Sequence, residues 1–330
     1  MATLDANESA VTETPSSETS VSAASSKQKK VFVVLNPVAG LTDAGDAKEI
    51  ITIFCNERNW ECDIHETQKD EDVTQLVKDK LENGVDIVIA AGGDGTVSNV
   101  VAGMLHSEVP MAILPAGTGN NLARDLGIPL DLAGAMELLA KDHQIHVMDA
   151  MRVNKENVYL LNVSVGVSSL TMRTTRRSEK RRFGMLAYLY RAVGSIKNTP
   201  LHRFQVQVDD RTVRFSASEL MIANSRFMGF QPNIEGLKVD PNDGRMDVFV
   251  VQADSFGDYI NVFSKFIVKQ TDEEDATLHH LEAHKRILIE SEFPLPVQAD
   301  GEEIGNTPVE IELIPDAIRI IAPVDSEPAG

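Results

Sequence analysis

Asp86-Ile87-Val88-Ile89-Ala90-Ala91-Gly92-Gly93-Asp94-Gly95-Thr96 decides the reading of this chain. Its apolar part predicts a buried strand, which empties into a turn with three glycines and one aspartate. A helix is expected to follow, with Thr96 as its N-cap. Glycine lets the backbone approach a ligand closely and adopt positive φ. The free N–H groups at a helix N-terminus attract anions, phosphates above all. An aspartate inside such a cradle adds repulsion unless a cation lies between, so the turn implies Mg²⁺ alongside a nucleotide.

Outward from this turn the chain alternates strand and helix signals. Val31–Leu35 is a short apolar run ended by Asn36-Pro37, and Ala44, Ala47, Ile50, Ile51 and Phe54 recur at helical spacing. Cys62–His65 reads as a second strand, and Val73, Leu76, Val77 and Leu81 mark a second helix. Beyond the central strand, Val97, Val100, Val101, Met104 and Leu105 form a regular helical stripe, and Met111–Leu114 is a fourth strand ended by Pro115. Such alternation predicts a parallel sheet with helices on both faces. The turns Asn36–Gly40, Gly92–Thr96 and Ala116–Asn121 all follow strands, so they gather at the sheet's carboxyl edge, where open α/β sheets bind ligands.

After about Met148 the texture changes to short strand-like runs, among them Val158–Leu161, Phe204–Val208, Val213–Phe215, Glu219–Ile222, Met246–Val251, Arg286–Ile289, Glu310–Ile314 and Ile318–Ile321. Asp209-Asp210, Pro241–Gly244 and Asp300-Gly301 separate them as turns, which predicts an antiparallel β domain of sandwich type. Helices are expected at Met185–Ile196 and Tyr259–Val268. The resulting division is a disordered tail over 1–28, an α/β nucleotide-binding domain over 29–148, a β-rich domain over 149–323 whose last segment returns to the first domain, and a tail over 324–330.

A length of 330 residues suits one large or two ordinary domains. The formal net charge of −19 argues against general nucleic-acid binding. No stretch approaches the roughly 20 apolar residues of a membrane span. The N-terminus lacks the basic and apolar regions of a secretory signal, and Asp5, Glu8, Glu13 and Glu18 argue against a transit peptide. Cys55 and Cys62 make neither a CxxC pair nor a disulfide framework, so both are read as buried small apolar groups in a reducing compartment. A cytoplasmic protein is expected.

Two common phosphate motifs are absent. Gly40 and Gly45 are followed by Asp46 rather than a P-loop lysine, and neither Gly93-Asp94-Gly95 nor Gly117-Thr118-Gly119 completes a dinucleotide GxGxxG. What remains is a series: Asn36-Pro37-Val38-Ala39-Gly40, Gly92-Gly93-Asp94-Gly95-Thr96, Gly117 to Arg124, Asp240 to Asp247 and Asp300-Gly301-Glu302. In this order it resembles the diacylglycerol kinase catalytic domain family of lipid kinases in its compact bacterial form, over roughly Val31 to Pro323.

The resemblance implies an ATP site in the cleft between the two domains. Asn36, Pro37, Val38, Ala39 and Gly40 match its first phosphate-contacting turn, and Thr67 a nucleotide-contacting position. Gly92, Gly93, Asp94, Gly95 and Thr96, with Asn99 one helical turn on, match the main cradle, and Thr118 the hydroxyl of the third turn. Asp240, Asp243 and the carbonyl of Arg245 match a structural Mg²⁺ site; read locally, Asp240–Gly244 is also a good hairpin turn. Asp300 and Glu302 match an active-site pair, with Glu302 as proton acceptor and Asp300 in a network with Asp94 and Mg²⁺; which of the two is the base stays open. Ala39 stands where many relatives carry serine and Asn121 where many carry aspartate.

The implied function is an ATP- and Mg²⁺-dependent lipid kinase acting on diacylglycerol, with a sphingoid-base or other lipid-alcohol kinase as the alternative, and an NAD kinase or a non-catalytic homologue behind it. The basic run Arg173, Arg176, Arg177, Lys180, Arg181 and Arg182, beside Phe183, Met185, Leu186 and Tyr188, suits a peripheral anionic membrane surface, though a solvated loop has the same composition. His279, His280 and His284 show no evident carboxylate partner, and Asp272–Asp275 reads as a solvated acidic loop. The sequence leaves the oligomeric state open, a homodimer included.

Overall fold

In a computed structural model the chain is described for residues 28–37, 44–166, 200–225, 239–255, 257–259, 262 and 277–324. The tail over 1–27, Val38 to Gly40 of the first turn, the basic run Arg173–Arg182, the helix expected at Met185–Ile196, most of that at Tyr259–Val268, the acidic run Asp272–Asp275 and 325–330 lie outside the described residues.

Three short apolar runs make the centre of the first sheet. β1 (Lys30–Leu35), β3 (Ile87–Gly92) and β4 (Met111–Pro115) are buried almost throughout, as strands covered on both faces must be. With β2 (Glu61–Glu66) at the edge they lie in the order β2-β1-β3-β4, all parallel. The covering helices are α1 (Ala44–Glu57), α2 (Val73–Glu82) and α3 (Asp94–Met104), followed by the short α4 (Asn121–Asp125) and α5 (Leu132–Ala140). The Asp72 and Asp131 carboxylates cap α2 and α5 by accepting the N–H groups of Gln75 and Gly134.

The sheet does not end at β4. β16 (Val309–Pro323) pairs parallel to β4 through Ile320 and Met111, and antiparallel to the long β5 (His143–Val153). Through β13 (Arg286–Ser291), β8 (His202–Val208) and β9 (Arg211–Ala217) it becomes a ten-stranded mixed sheet, with β6 (Asn157–Tyr159) attached to β5. A second sheet of six antiparallel strands runs β12 (Leu278–Ala283), β11 (Met246–Val251), β10 (Glu219–Ala223), β7 (Asn162–Gly166), β14 (Pro296–Ala299) and β15 (Glu302–Asn306). Val165, Ile222 and Val248 of this sheet pack against Val206, Ile289 and Ile311 of the first. β5 passes through residues 148 and 149 unbroken, so the boundary expected there falls inside a strand.

The expectation for the two cysteines is corrected. Cys55 and Cys62 are joined in a disulfide rather than buried separately. The tight turn from the end of α1 into β2 brings their Cα atoms to 6.2 Å, within bridging range. Trp60, inside the loop so closed, meets Phe54 edge to face at 5.6 Å. The inference of a reducing compartment, which rested on the absence of a disulfide, therefore falls. No helix among the described residues is long and apolar enough to cross a membrane.

Candidate active site

Each parallel strand delivers a turn to one edge, and the backbone stitches these turns together. The N–H of Asn36 donates to the Ala91 carbonyl, that of Thr67 to Leu35, and that of Ala116 to Gly92, all at 2.9 Å. The Asn36 amide donates to Thr96 Oγ1 at 3.0 Å, tying the first turn to the second.

α3 begins two residues before Thr96, with Gly93 as its cap in extended conformation. Thr96 is thus a buried first-turn residue and not the N-cap, because the glycine pair carries the chain straight from β3 into the helix. Gly93 has no side chain to cap α3, and no side-chain cap is made among the described residues, so the start of the helix can receive an anion.

The second and third turns touch backbone to backbone. A Cβ on Gly117 would lie 2.6 Å from Gly93 Cα, and one on Gly119 would lie 2.4 Å from Asp94 Oδ2. Asn120, at φ 51°, closes the third turn on itself: its Oδ1 accepts from the Gly117 N–H at 2.9 Å and its amide donates to the Gly117 carbonyl at 2.8 Å. Asp94 then accepts the N–H groups of Asn120 and Asn121, at 3.0 and 2.7 Å. Burial pushes the Asp94 carboxyl above the usual aspartate value, against the pull of those N–H groups.

The β14–β15 hairpin brings Asp300 and Glu302 to the same place. Asp300 turns its carboxylate inward onto three N–H groups, of Leu160, Leu161 and Asn162, at 2.9 to 3.0 Å. Burial pushes its pKa up to about 6, those N–H groups pull it back, and the Asp94 charge adds to the rise. Glu302 is exposed, has no hydrogen-bond partner among the described residues, and stands with Oε1 3.6 Å from where a Gly95 Cβ would lie. The Asn121 amide donates to the Asp300 carbonyl at 3.2 Å, a bond that an aspartate at that position would not make.

The Asp240–Arg245 turn hangs on Asp149, a buried carboxylate that accepts from the Gly244 N–H at 2.8 Å and the Asp316 N–H at 2.9 Å. Burial raises the Asp149 and Asp243 carboxyls, and the neighbouring Asp240 adds to both. So much negative charge in one turn, with oxygen donors throughout, fits a hard divalent cation held by Asp240, Asp243 and the Arg245 carbonyl. The Arg245 guanidinium pairs with Asp243 of the same turn and with Glu282, each at 2.8 Å, and so already offsets part of that charge.

Asn36, Pro37, Thr67, Gly92 to Thr96 and Thr118 thus lie at the same sheet edge as Asp300 and Glu302. Asn99 is an exposed residue of α3 whose carbonyl accepts from Thr74 Oγ1 at 3.2 Å. The sequence reading missed Asp149, Asn224 and Tyr159. Asn224, fully buried, donates to the carbonyls of Asp149 and Leu160, both at 2.9 Å, and so ties the support of the acidic turn to that of Asp300. Burial together with the charges of Glu302 and Asp300 pushes Tyr159 up to about 12. One acidic residue inside the apolar run Val147–Met151 was the available signal for Asp149.

Fold and site together define a kinase-like protein whose functional groups come from two sheets. Residues 30–153 match the diacylglycerol kinase catalytic domain, and residues 161–322 the YegS C-terminal NAD kinase beta sandwich-like domain. The chain belongs to the diacylglycerol kinase catalytic domain family. A protein of Staphylococcus aureus strain RF122 named "putative lipid kinase" is 30% identical over 72% of this chain and 77% of its own length. An uncharacterised Synechocystis protein is 26% identical over 91% of the chain and 72% of its own length. The crystal structure of a diacylglycerol kinase from Bacillus anthracis superposes with a TM-score of 0.69 at 28% identity, covering 90% of this chain and 98% of that one.

Proposed function

We propose that this protein is an ATP- and Mg²⁺-dependent lipid kinase that transfers the γ-phosphoryl group to the primary hydroxyl of a membrane lipid, diacylglycerol being the favoured acceptor and phosphatidate the product. One observation carries the reading: an exposed carboxylate without a hydrogen-bond partner among the described residues, Glu302, stands against the glycine turn that opens α3. The N–H groups of that turn hold the phosphates, with Asn36, Pro37, Val38, Ala39, Gly40, Thr67, Asn99 and Thr118 around the nucleotide. Glu302 accepts the lipid hydroxyl proton as its oxygen attacks the γ-phosphorus and ADP leaves. Asp300 does not take that part, because both its oxygens are spent on N–H groups; it anchors the hairpin that aims Glu302. A bound Mg²⁺ neutralises phosphate charge.

The acceptor lies in a bilayer, and the basic run Arg173–Arg182 supplies the attraction to its anionic face, at about 1 kcal/mol per residue. Vesicle co-sedimentation tests this: binding should require anionic lipid and weaken with salt. The activity test offers labelled ATP with diacylglycerol, a sphingoid base, other lipid alcohols and NAD⁺. Mg²⁺-dependent labelling of diacylglycerol, lost in Asp94→Ala with the fold intact, is expected. Labelling of NAD⁺ alone would overturn the lipid reading, and a fully active Asp94→Ala variant would overturn the mechanism.

A further inference from the structure

Three side chains outside the site converge on the outer face of the second sheet. Asp247 of β11 pairs in register with Glu282 of the edge strand β12, and His280 of β12 lies on the same face one step along. Potential ligand atoms of all three lie within 4.8 Å of one another. His280 Nε2 is 2.7 Å from Asp247 Oδ1, and its ring is held against the buried Phe249 ring at 5.3 Å, which fixes where that nitrogen points. The Asp247 side chain is only 2% exposed, and His280 is its one hydrogen-bond partner among the described residues. A buried carboxylate can accept about four hydrogen bonds and is costly to leave short of them. A nearly buried carboxylate held against an imidazole, with a second carboxylate in register beside it, places three donor side chains where one cation can share them.

We propose that Asp247, His280 and Glu282 form a binding site for a borderline divalent transition-metal ion of the Zn²⁺ class, distinct from the Asp240–Arg245 turn. An imidazole with two carboxylates is a mixed nitrogen and oxygen set that Zn²⁺ accepts readily, whereas Mg²⁺ prefers oxygen alone. The ion takes the place of the hydrogen between His280 Nε2 and Asp247 Oδ1, and the ring then carries its proton on Nδ1. Two carboxylates balance the ion's charge. Arg245 steadies Glu282 through Oε1 and leaves that side chain a second oxygen. The bound ion bolts the edge strand β12 to β11. Sequence reading found no partner for this histidine because Asp247 lies 33 positions away and only strand pairing brings it alongside.

The test is calorimetric titration of the full chain, stripped with chelator, with ZnCl₂ alone and without nucleotide or lipid. Co²⁺ is then substituted to report the ligand set by its visible absorption. One ion per chain is expected, with a rise in Tm. His280→Ala and Glu282→Gln should each weaken binding more than about tenfold. His279→Ala, whose side chain meets Gln252 instead, and Asp240→Asn should leave it unchanged. If His280→Ala folds poorly in chelator, Glu282→Gln at its partly exposed position carries the same test. Zn²⁺ binding that survives both substitutions, Mg²⁺ that displaces Zn²⁺ at equal concentration, or no binding by the folded wild-type chain would each overturn the proposal.

Discussion

Asp300 and Glu302 stand two positions apart in one hairpin and have opposite surroundings. The exposed side chain of Glu302 makes no hydrogen bond among the described residues that supports the fold, so Glu302→Gln should lower kcat by about 10²- to 10⁴-fold while Tm stays close to wild type. A large loss of Tm would show the residue to be structural instead. Asp300 couples protonation to stability. An unfolded aspartate titrates near about 3.9, whereas the folded carboxyl titrates near about 6. Folding therefore takes up a proton between these values. The contribution of Asp300 to stability is complete below the lower one and is lost as pH rises through the upper, by less than about 1.4 kcal/mol per pH unit. Urea unfolding across this interval should show a steeper loss of stability in wild type than in Asp300→Asn, where other raised carboxyls such as Asp94 and Asp149 still contribute; equal slopes would refute the assignment.

At the scale of elements, the site is made by turns that touch each other. Gly93 and Gly117 meet so closely that Gly117→Ala must push two turns apart, at about 1–3 kcal/mol by the usual cost of overpacking, and spoil the nucleotide cradle. Thermal unfolding and ATP binding should both register the change. Gly84→Ala makes the control, since nothing lies within 4 Å of its Cβ and only its φ of +78° resists substitution. The Cys55–Cys62 bond closes a loop with a sequence separation of 7, so reduction should cost about 2–3 kcal/mol on chain-entropy grounds, read in the urea midpoint with and without dithiol.

The strands most legible in the sequence are those buried on both faces, such as β1, β3 and β4, whose apolar runs can be little else. β12, with its pair of histidines, and β15, exposed at nearly every position, lack that signal; pairing with neighbours makes them strands. The start of α3 was misplaced for a related reason: a hydroxyl residue suggests a cap, but here two glycines made one unnecessary. Glu302 and Asp94 were readable as motif residues. Asp149 and Asn224 were not, because each works through backbone groups of distant segments, which no local pattern encodes.

At the scale of the molecule, β16 belongs to both halves. Its later residues, Ile318, Ile320 and Ile321, fill the core of the parallel strands, while Val309 and Ile311 fill the core between the two sheets. A fragment of residues 28–153 would leave β4 and β5 without this shared neighbour and should not fold alone; circular dichroism and amide exchange would show it disordered or aggregated. A cooperative, protected fragment would contradict the shared-strand account.

That shared strand also sets an order of events on the ribosome. The first four parallel strands leave the exit tunnel early, yet the β4 edge cannot be covered until residues 309–323 have been synthesised. In between, a growing chain displays an open parallel edge and an unfilled apolar groove, the state that trigger-type holding chaperones protect and that aggregates when unprotected. Nascent chains arrested before residue 309 should therefore remain chaperone-bound and protease-sensitive, and those extended past 323 should release.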